Sequence, residues 1–279
     1  MPQDVKKQPG PKTLGLIAGM GYLPMAVAGE ARQQGYRVFA VGLEPVVNEE
    51  LRDYVDEFTI VNVAKLGTLI KTLKGAGLTE AVMAGKVPKS LLYKNKTMPD
   101  MKAVAFLLKL KNNNDDSILK ALVEEFAAEG ITMLNITDFT SGMLTPVGLL
   151  TKKGLSKDEQ KDIDFGFPLA KEIGRLDIGQ TIVVKGRAVM AVEAIEGTDM
   201  AILRGGELAV SGAIVIKTSK PAQDKRFDYP AVGLDTITAM KAVKARVLAI
   251  EAGHTLIVQK DAVIKEAQLA GISIIGVKY

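Results

Sequence analysis

Two segments in the C-terminal half concentrate the residue types that handle anionic substrates. One runs Lys217-Thr218-Ser219-Lys220-Pro221-Ala222-Gln223-Asp224-Lys225-Arg226-Phe227-Asp228-Tyr229-Pro230 and packs two acids, three lysines and an arginine into a proline-bounded stretch after an apolar run. Lys and Arg neutralise a pyrophosphate, and an Asp orients a metal-bound water for in-line attack. A solvated charged loop is the plainer reading, and the stiffening prolines weigh mildly against it. The other segment is Glu193-Ala194-Ile195-Glu196-Gly197-Thr198-Asp199. Its two leading acids are expected to share a strand face and then meet a polar turn. Gly197 and Thr198 would present backbone and hydroxyl donors to a phosphate, while the acids hold a divalent metal through oxygen. The structural alternative is a strand end followed by a helix capped by Thr or Asp.

A third candidate lies near the N-terminus. Gly19-Met20-Gly21-Tyr22-Leu23-Pro24 follows an apolar run and precedes a helical pattern. A phosphate-binding turn sits in that place, which makes Gly19 and Gly21 candidate substrate contacts. Pro24 replaces the last glycine of the dinucleotide fingerprint, so a dehydrogenase site, with Glu44 closing its second strand, is the least expected outcome. A nucleotide-binding turn and a purely structural one remain equally compatible.

Composition excludes several chemistries. The absence of cysteine removes disulfides, thiolate zinc sites and thiol nucleophiles, and a single histidine, His254, removes a histidine zinc triad. His254 has no Gly-x-Ser-x-Gly elbow to serve and reads as structural. Thirty-six Lys and Arg against 32 Asp and Glu leave a net charge of +4, too small and dispersed to call for nucleic acid. The polar N-terminal residues lack a signal core, and no apolar run is long enough to span a bilayer, so a cytoplasmic protein is expected.

The elements that must position these residues follow an α/β pattern. Apolar runs at Leu14–Ala18, Tyr36–Val41, Phe58–Val63 and Ala81–Ala84 alternate with helical periodicity at 23–34 and 65–74. That alternation predicts a Rossmann-like open sheet over residues 13–139, after a polar tail at 1–12. Asp115–Glu129 reads as a helix and Ile131–Ile136 as the last strand of this half. Met101–Lys111 reads as a core-facing helix with a solvated basic edge, contact with anionic lipid being the lesser reading. Gly- and Pro-containing sequence between Ser141 and Asp164 resembles a linker. A second α/β domain over 140–279 is expected to have a mixed sheet, because Lys185-Gly186-Arg187 between two apolar runs marks a hairpin.

From Leu14 to Gly276 the sequence resembles the LpxI-type UDP-2,3-diacylglucosamine pyrophosphatases of lipid A biosynthesis. The most specific marks are Glu193–Asp199 and Gln223-Asp224-x-Arg226-x-Asp228-x-Pro230-x-x-Gly233, supported by Gly21-x-Leu23-Pro24 and Asn114-Asp115-Asp116. The resemblance implies hydrolysis that releases UMP and leaves 2,3-diacylglucosamine 1-phosphate. It also implies a divalent cation such as Mg²⁺ and two domains with substrate between them. The family's essential aspartate aligns with Asp228, and Asp224 is the second choice. On this footing Mg²⁺ takes carboxylates from Glu196, Asp199, Asp224 and Asp228, and Asp228 holds or deprotonates the attacking water. Arg226, Lys217 and Lys220 grip phosphate oxygens, with Thr198 and Gln223 as neutral donors. The expected partner is a lipid-linked nucleotide sugar and no nucleic acid. Peripheral contact with the inner membrane and a homo-oligomer are compatible with this. The alternative is a sensor of nucleotide sugars that binds without turnover.

Overall fold

The structure, a computed structural model, describes residues 12–88, 91, 98–110, 115–221 and 229–279. The chain divides into two compact units at Phe139 and Thr140.

The first unit is built on a parallel sheet of β1 (Thr13–Ala18), β2 (Arg37–Glu44), β3 (Glu57–Asn62), β4 (Glu80–Ala84) and β5 (Thr132–Met133), in the order β3-β2-β1-β4-β5. The unbroken apolar run of β1 is buried from Leu14 to Ala18, as a strand covered on both faces requires. Strand order reverses between β1 and β4, and α1 (Leu23–Gln33) starts beside that point. The unit also contains α2 (Leu66–Gly75), α3 (Met101–Lys109) and α4 (Asp115–Ala128). Asp100 ties two helix starts together, accepting from the Ala103 amide at 2.8 Å and from the Thr68 amide at 3.2 Å.

Two expectations for this unit change. The last strand is only Thr132–Met133; Ile136–Phe139 turns into a short 3-10 helix that buries Ile136 and Phe139, so apolar character there reports burial rather than extension. The helix α3 faces the core as expected, but its basic edge is paired rather than simply solvated. It buries Ala103 and Phe106, and its lysines are taken by acids at the end of the chain's next helix: Lys102 meets Glu125 at 2.9 Å and Glu129 at 2.5 Å, and Lys109 meets Glu125 at 3.6 Å. Met101, Val104 and Leu108 are left exposed.

In the second unit a six-stranded mixed sheet has the order β6-β13-β11-β9-β7-β8. Its strands are β6 (Gly148–Leu149), β7 (Thr181–Lys185), β8 (Ala188–Val192), β9 (Ile214–Lys217), β11 (Val247–Glu251) and β13 (Ser273–Val277), while β10 (Ala231–Val232) and β12 (Leu256–Ile257) form a separate parallel pair. Strands β9, β11 and β13 are parallel, and β7 runs against both β9 and β8. The β7–β8 turn is Gly186-Arg187, with φ of 59° and 58°, the two positive values that match a tight turn to strand twist. Asp162 holds it by accepting both amides, at 2.8 and 2.6 Å.

Helices cover both faces of this sheet. On one face α5 (Lys157–Arg175) packs Ile163, Phe167 and Ala170 against Ile182, Ile214 and Ile216. On the other, α6 (Thr198–Ala209), α7 (Leu234–Ala242) and α8 (Lys260–Leu269) bury Ile202, Met240 and Val263 with Val183, Val215 and Leu248. The facing sets alternate along β7 and β9, the period-two signature of a strand. The stretch expected as a linker is structured: a 3-10 turn spans Ser141–Met143, β6 follows, and a Ser156–Glu159 capping box starts α5 at Lys157.

Candidate active site

Because β8 and β9 both oppose β7, the carboxyl ends of β8, β9 and β11 lie on one edge of the second sheet. Open α/β sheets bind ligands at that edge. Here it carries an unusual density of buried charge. Lys217, the last residue of β9, is 1% exposed, and its Nζ donates to Thr198 Oγ1 at 2.8 Å. The Thr198 hydroxyl in turn donates to Glu193 Oε1 at 2.8 Å, with both residues buried. Lys220 is also buried and pairs with Asp177, just past the end of α5, at 2.5 Å.

A second group lies on the same edge. Glu251, the last residue of β11, accepts from the Ser219 amide at 2.7 Å and from the Ser219 hydroxyl at 2.8 Å. Lys171 of α5 donates to both Glu251 oxygens, at 3.1 and 2.9 Å, and to the Ser219 carbonyl at 2.9 Å. Burial pushes the Glu251 carboxyl up, but the Ser219 amide, the Lys171 ammonium and the Ser219 hydroxyl together outweigh it, so its pKa lies below the ordinary value.

The segment from Glu193 to Asp199 differs from the strand end that its acids suggested. β8 stops at Val192, and Glu193 and Glu196, three residues apart, part company: one turns inward to Thr198, and the other sits in the turn. Glu196 accepts from the Ala194 amide at 3.2 Å and from Arg204 at 2.5 Å. Burial raises its pKa, and its backbone hydrogen bonds and Arg204 reverse that to a net lowering. Gly197, at φ 86°, is the cap residue of α6; Thr198 is already its first helical residue, and its hydroxyl donates to Glu193. Asp199 is exposed in the first turn of α6, where a carboxylate suits the helix dipole. Among the described residues no three acidic or histidine side chains gather as a metal-ligand set.

Gln223, Asp224, Arg226 and Asp228 lie outside the described residues. Their segment leaves β9 through Ser219 and Lys220. It returns through Pro230, whose carbonyl accepts from Leu256 at 2.8 Å, and then through β10.

In the first unit, Gly19 and Gly21 form the turn after β1. The Gly19 amide donates to Ala84 O and the Met20 amide to Lys86 O, both at 2.8 Å. A Cβ on Gly19 would stand 2.6 Å from the Lys86 carbonyl oxygen, so close backbone approach alone requires glycine there. Gly21, at φ 96°, has open space around it.

Two family models match in tandem, the LpxI N-terminal domain over residues 13–143 and the LpxI C-terminal domain over residues 146–275. The UDP-2,3-diacylglucosamine pyrophosphatase LpxI of Caulobacter vibrioides is 34% identical, across 95% of this chain and 98% of that one. The chain belongs to the LpxI family. Two solved structures resemble it loosely. The crystal structure of gox2253 is 13% identical with a TM-score of 0.32, covering 95% of this chain and 77% of that one. A GalE-like L-threonine dehydrogenase from Cupriavidus necator is 13% identical with a TM-score of 0.29, covering 95% of each. Scores this low establish nothing about the activity of an LpxI-family chain.

In this LpxI-family chain the half-buried partners Lys171 and Asp177 and the buried Ser219 and Glu251 were not singled out from the sequence. Glu251 had one local signal, an acid closing the apolar run Val247–Ile250. Lys171 had none, since its partner is 80 residues away.

Proposed function

We infer that the chain hydrolyses the pyrophosphate of UDP-2,3-diacylglucosamine, releasing UMP and 2,3-diacylglucosamine 1-phosphate in lipid A biosynthesis. The match of both domains to LpxI carries this reading. The buried cations at the head of the 222–228 segment support it, because a pyrophosphate needs fixed positive charge and a nearby acid to manage water.

In this reading Lys217, Lys220 and Arg226 hold phosphate oxygens, with Gln223 as a neutral donor and Thr198 as another once its hydroxyl proton turns from Glu193 to the substrate. Asp228 holds the attacking water and accepts its proton, and Asp224 assists. A bound Mg²⁺ supplies charge neutralisation and a lowered water pKa. Its ligands are drawn from Glu196, Asp199, Asp224 and Asp228, with Arg204 competing for one oxygen of Glu196. The described residues fit such an ion incompletely, so Asp224 and Asp228 must complete the set.

The reading places the enzyme in the cytoplasm, in peripheral contact with the inner membrane through the apolar stripe Met101, Val104 and Leu108, where diacylated substrate resides. Among the described residues no helix is long and apolar enough to cross a membrane. The test is product analysis with UDP-2,3-diacylglucosamine and Mg²⁺. UMP is the expected nucleotide; UDP, or no product from folded protein, contradicts the reading.

A further inference from the structure

Tyr22 and Tyr54 stand together beside the point where strand order reverses in the first unit. Tyr22 ends the turn after β1 and is the cap residue of α1, while Tyr54 closes a 3-10 helix, Glu49–Tyr54, in the connection from β2 to β3. Their ring centroids are 6.3 Å apart and the rings meet edge to face at 79°, the arrangement in which aromatic quadrupoles attract. A hydrogen bond with the Tyr22 hydroxyl also raises the Tyr54 pKa above its ordinary value. Tyr54 is held from its own side as well. Asn48 caps its helix by accepting from the Glu50 amide at 3.0 Å, Leu51 is buried, and Arg32 Nη1 donates to the Tyr54 carbonyl at 3.4 Å.

This well-held pair is nevertheless open to solvent: Tyr22 is 36% exposed, Tyr54 38%, and Met20 in the same turn 43%. One exposed aromatic is ordinary, but two in contact beside an exposed methionine form an apolar surface that packing within the unit does not use. Open α/β sheets take ligands outside the carboxyl ends of their strands at a topological switch point, and β1 ends here, next to β4. Gly21, adjoining Tyr22, has open space around it. With the Gly19 and Met20 amides already bonded to Ala84 and Lys86, the first half of the turn has no N–H left for a phosphate. Its distinctive offering is an aromatic face, and aromatic faces take nucleobases by stacking.

We propose that Tyr22, backed by Tyr54, is a stacking platform for the base of the nucleotide half of the substrate. The inference deepens the reading that the chain acts on a UDP-linked sugar, and it rests on that reading for the identity of the base as uracil.

The test titrates UMP, and ribose 5-phosphate as the ligand without a base, into native protein, Tyr22→Ala, Tyr22→Leu, Tyr22→Phe and Tyr54→Ala by calorimetry. Thermal melts establish that each is folded, and turnover of UDP-2,3-diacylglucosamine with Mg²⁺ is followed in parallel. Native protein is expected to bind UMP about tenfold more tightly than ribose 5-phosphate. Tyr22→Ala and Tyr22→Leu are expected to lose about tenfold in UMP affinity with ribose 5-phosphate unchanged, and to raise KM while kcat stays within about threefold of native. Tyr22→Phe keeps the ring and is expected to stay within about twofold of native; Tyr54→Ala removes only the backing and is expected to lose about threefold. Leucine keeps the bulk of the side chain and decides the matter if the alanine variant does not fold. Native UMP affinity in a folded Tyr22→Ala or Tyr22→Leu overturns the proposal, as do equal losses for both ligands or native protein that does not distinguish them. Native protein that discriminates UMP through Tyr22 but releases no UMP from the diacylated substrate instead overturns the reading of the activity, so the two failures are told apart.

Discussion

Lys217 Nζ stands 2.8 Å from Thr198 Oγ1, so the last residue of β9 and the first of α6 are joined through a hydroxyl that also serves Glu193. That hydroxyl cannot be removed without taking a bond from each of two buried charged groups. Thr198→Val keeps the shape and is expected to lower unfolding stability by about 1–3 kcal/mol, while Thr198→Ser stays near native. Urea denaturation of both variants measures it, and equal midpoints for valine and threonine would show that the hydroxyl carries no such role.

Acid sensitivity has a definite site in the first unit. Glu129 accepts from Lys102 at 2.5 Å and from Lys74 at 2.8 Å, and these two hydrogen bonds, Lys102 first, hold its pKa at about 2 against an ordinary 4.5. A carboxylate with a depressed folded-state pKa contributes stability that is fully present above its unfolded value and is lost as pH falls through the folded one. The stability gap between native protein and Glu129→Gln is therefore expected to be level above about pH 5.5 and to close between pH 4.5 and 2. Denaturant melts across that range check it, and a gap independent of pH contradicts it.

Helix α6 ends in strain. Val210 adopts φ 66° and ψ −45°, and Ser211 N bonds to Ala209 O at 2.7 Å, a three-residue turn that β-branched side chains rarely enter. The side chain is 80% exposed and gains little packing in return. Val210→Gly is expected to raise stability by about 1 kcal/mol despite glycine's larger entropy loss on folding. A thermal midpoint at or below native would refute this.

What the sequence could tell was local. The run of β1 and the Gly186-Arg187 hairpin were legible because burial on two faces and a tight turn each leave their mark within a few residues. The basic edge of α3 was legible but its pairing was not, because neutralisation by Glu125 and Glu129 is a tertiary fact. Ile136 read as strand because apolar character does not distinguish extension from a buried 3-10 turn. At the site, Lys217, Lys220 and Thr198 were identifiable by type. Their partners Asp177 and Glu251 come from distant elements and were not. The shared face expected for Glu193 and Glu196 fails on spacing, since residues three apart on a strand point to opposite sides.

The turn after β1 separates packing from ligand binding. Gly19→Ala sets a methyl group against the Lys86 carbonyl, which is backbone and cannot swing aside, so a loss of about 1–3 kcal/mol is expected without any ligand present. A thermal melt of the ligand-free variant that matches native would assign Gly19 to substrate alone.

The central claim is that the chain hydrolyses the pyrophosphate of UDP-2,3-diacylglucosamine with Asp228 as an essential group. The direct measurement is UMP release from UDP-2,3-diacylglucosamine with Mg²⁺ by native protein and by folded Asp228→Ala, with UDP-N-acetylglucosamine as the control substrate. The account predicts release by native protein from the diacylated substrate only and a loss of at least about 1,000-fold in the variant. Undiminished release by Asp228→Ala would contradict it.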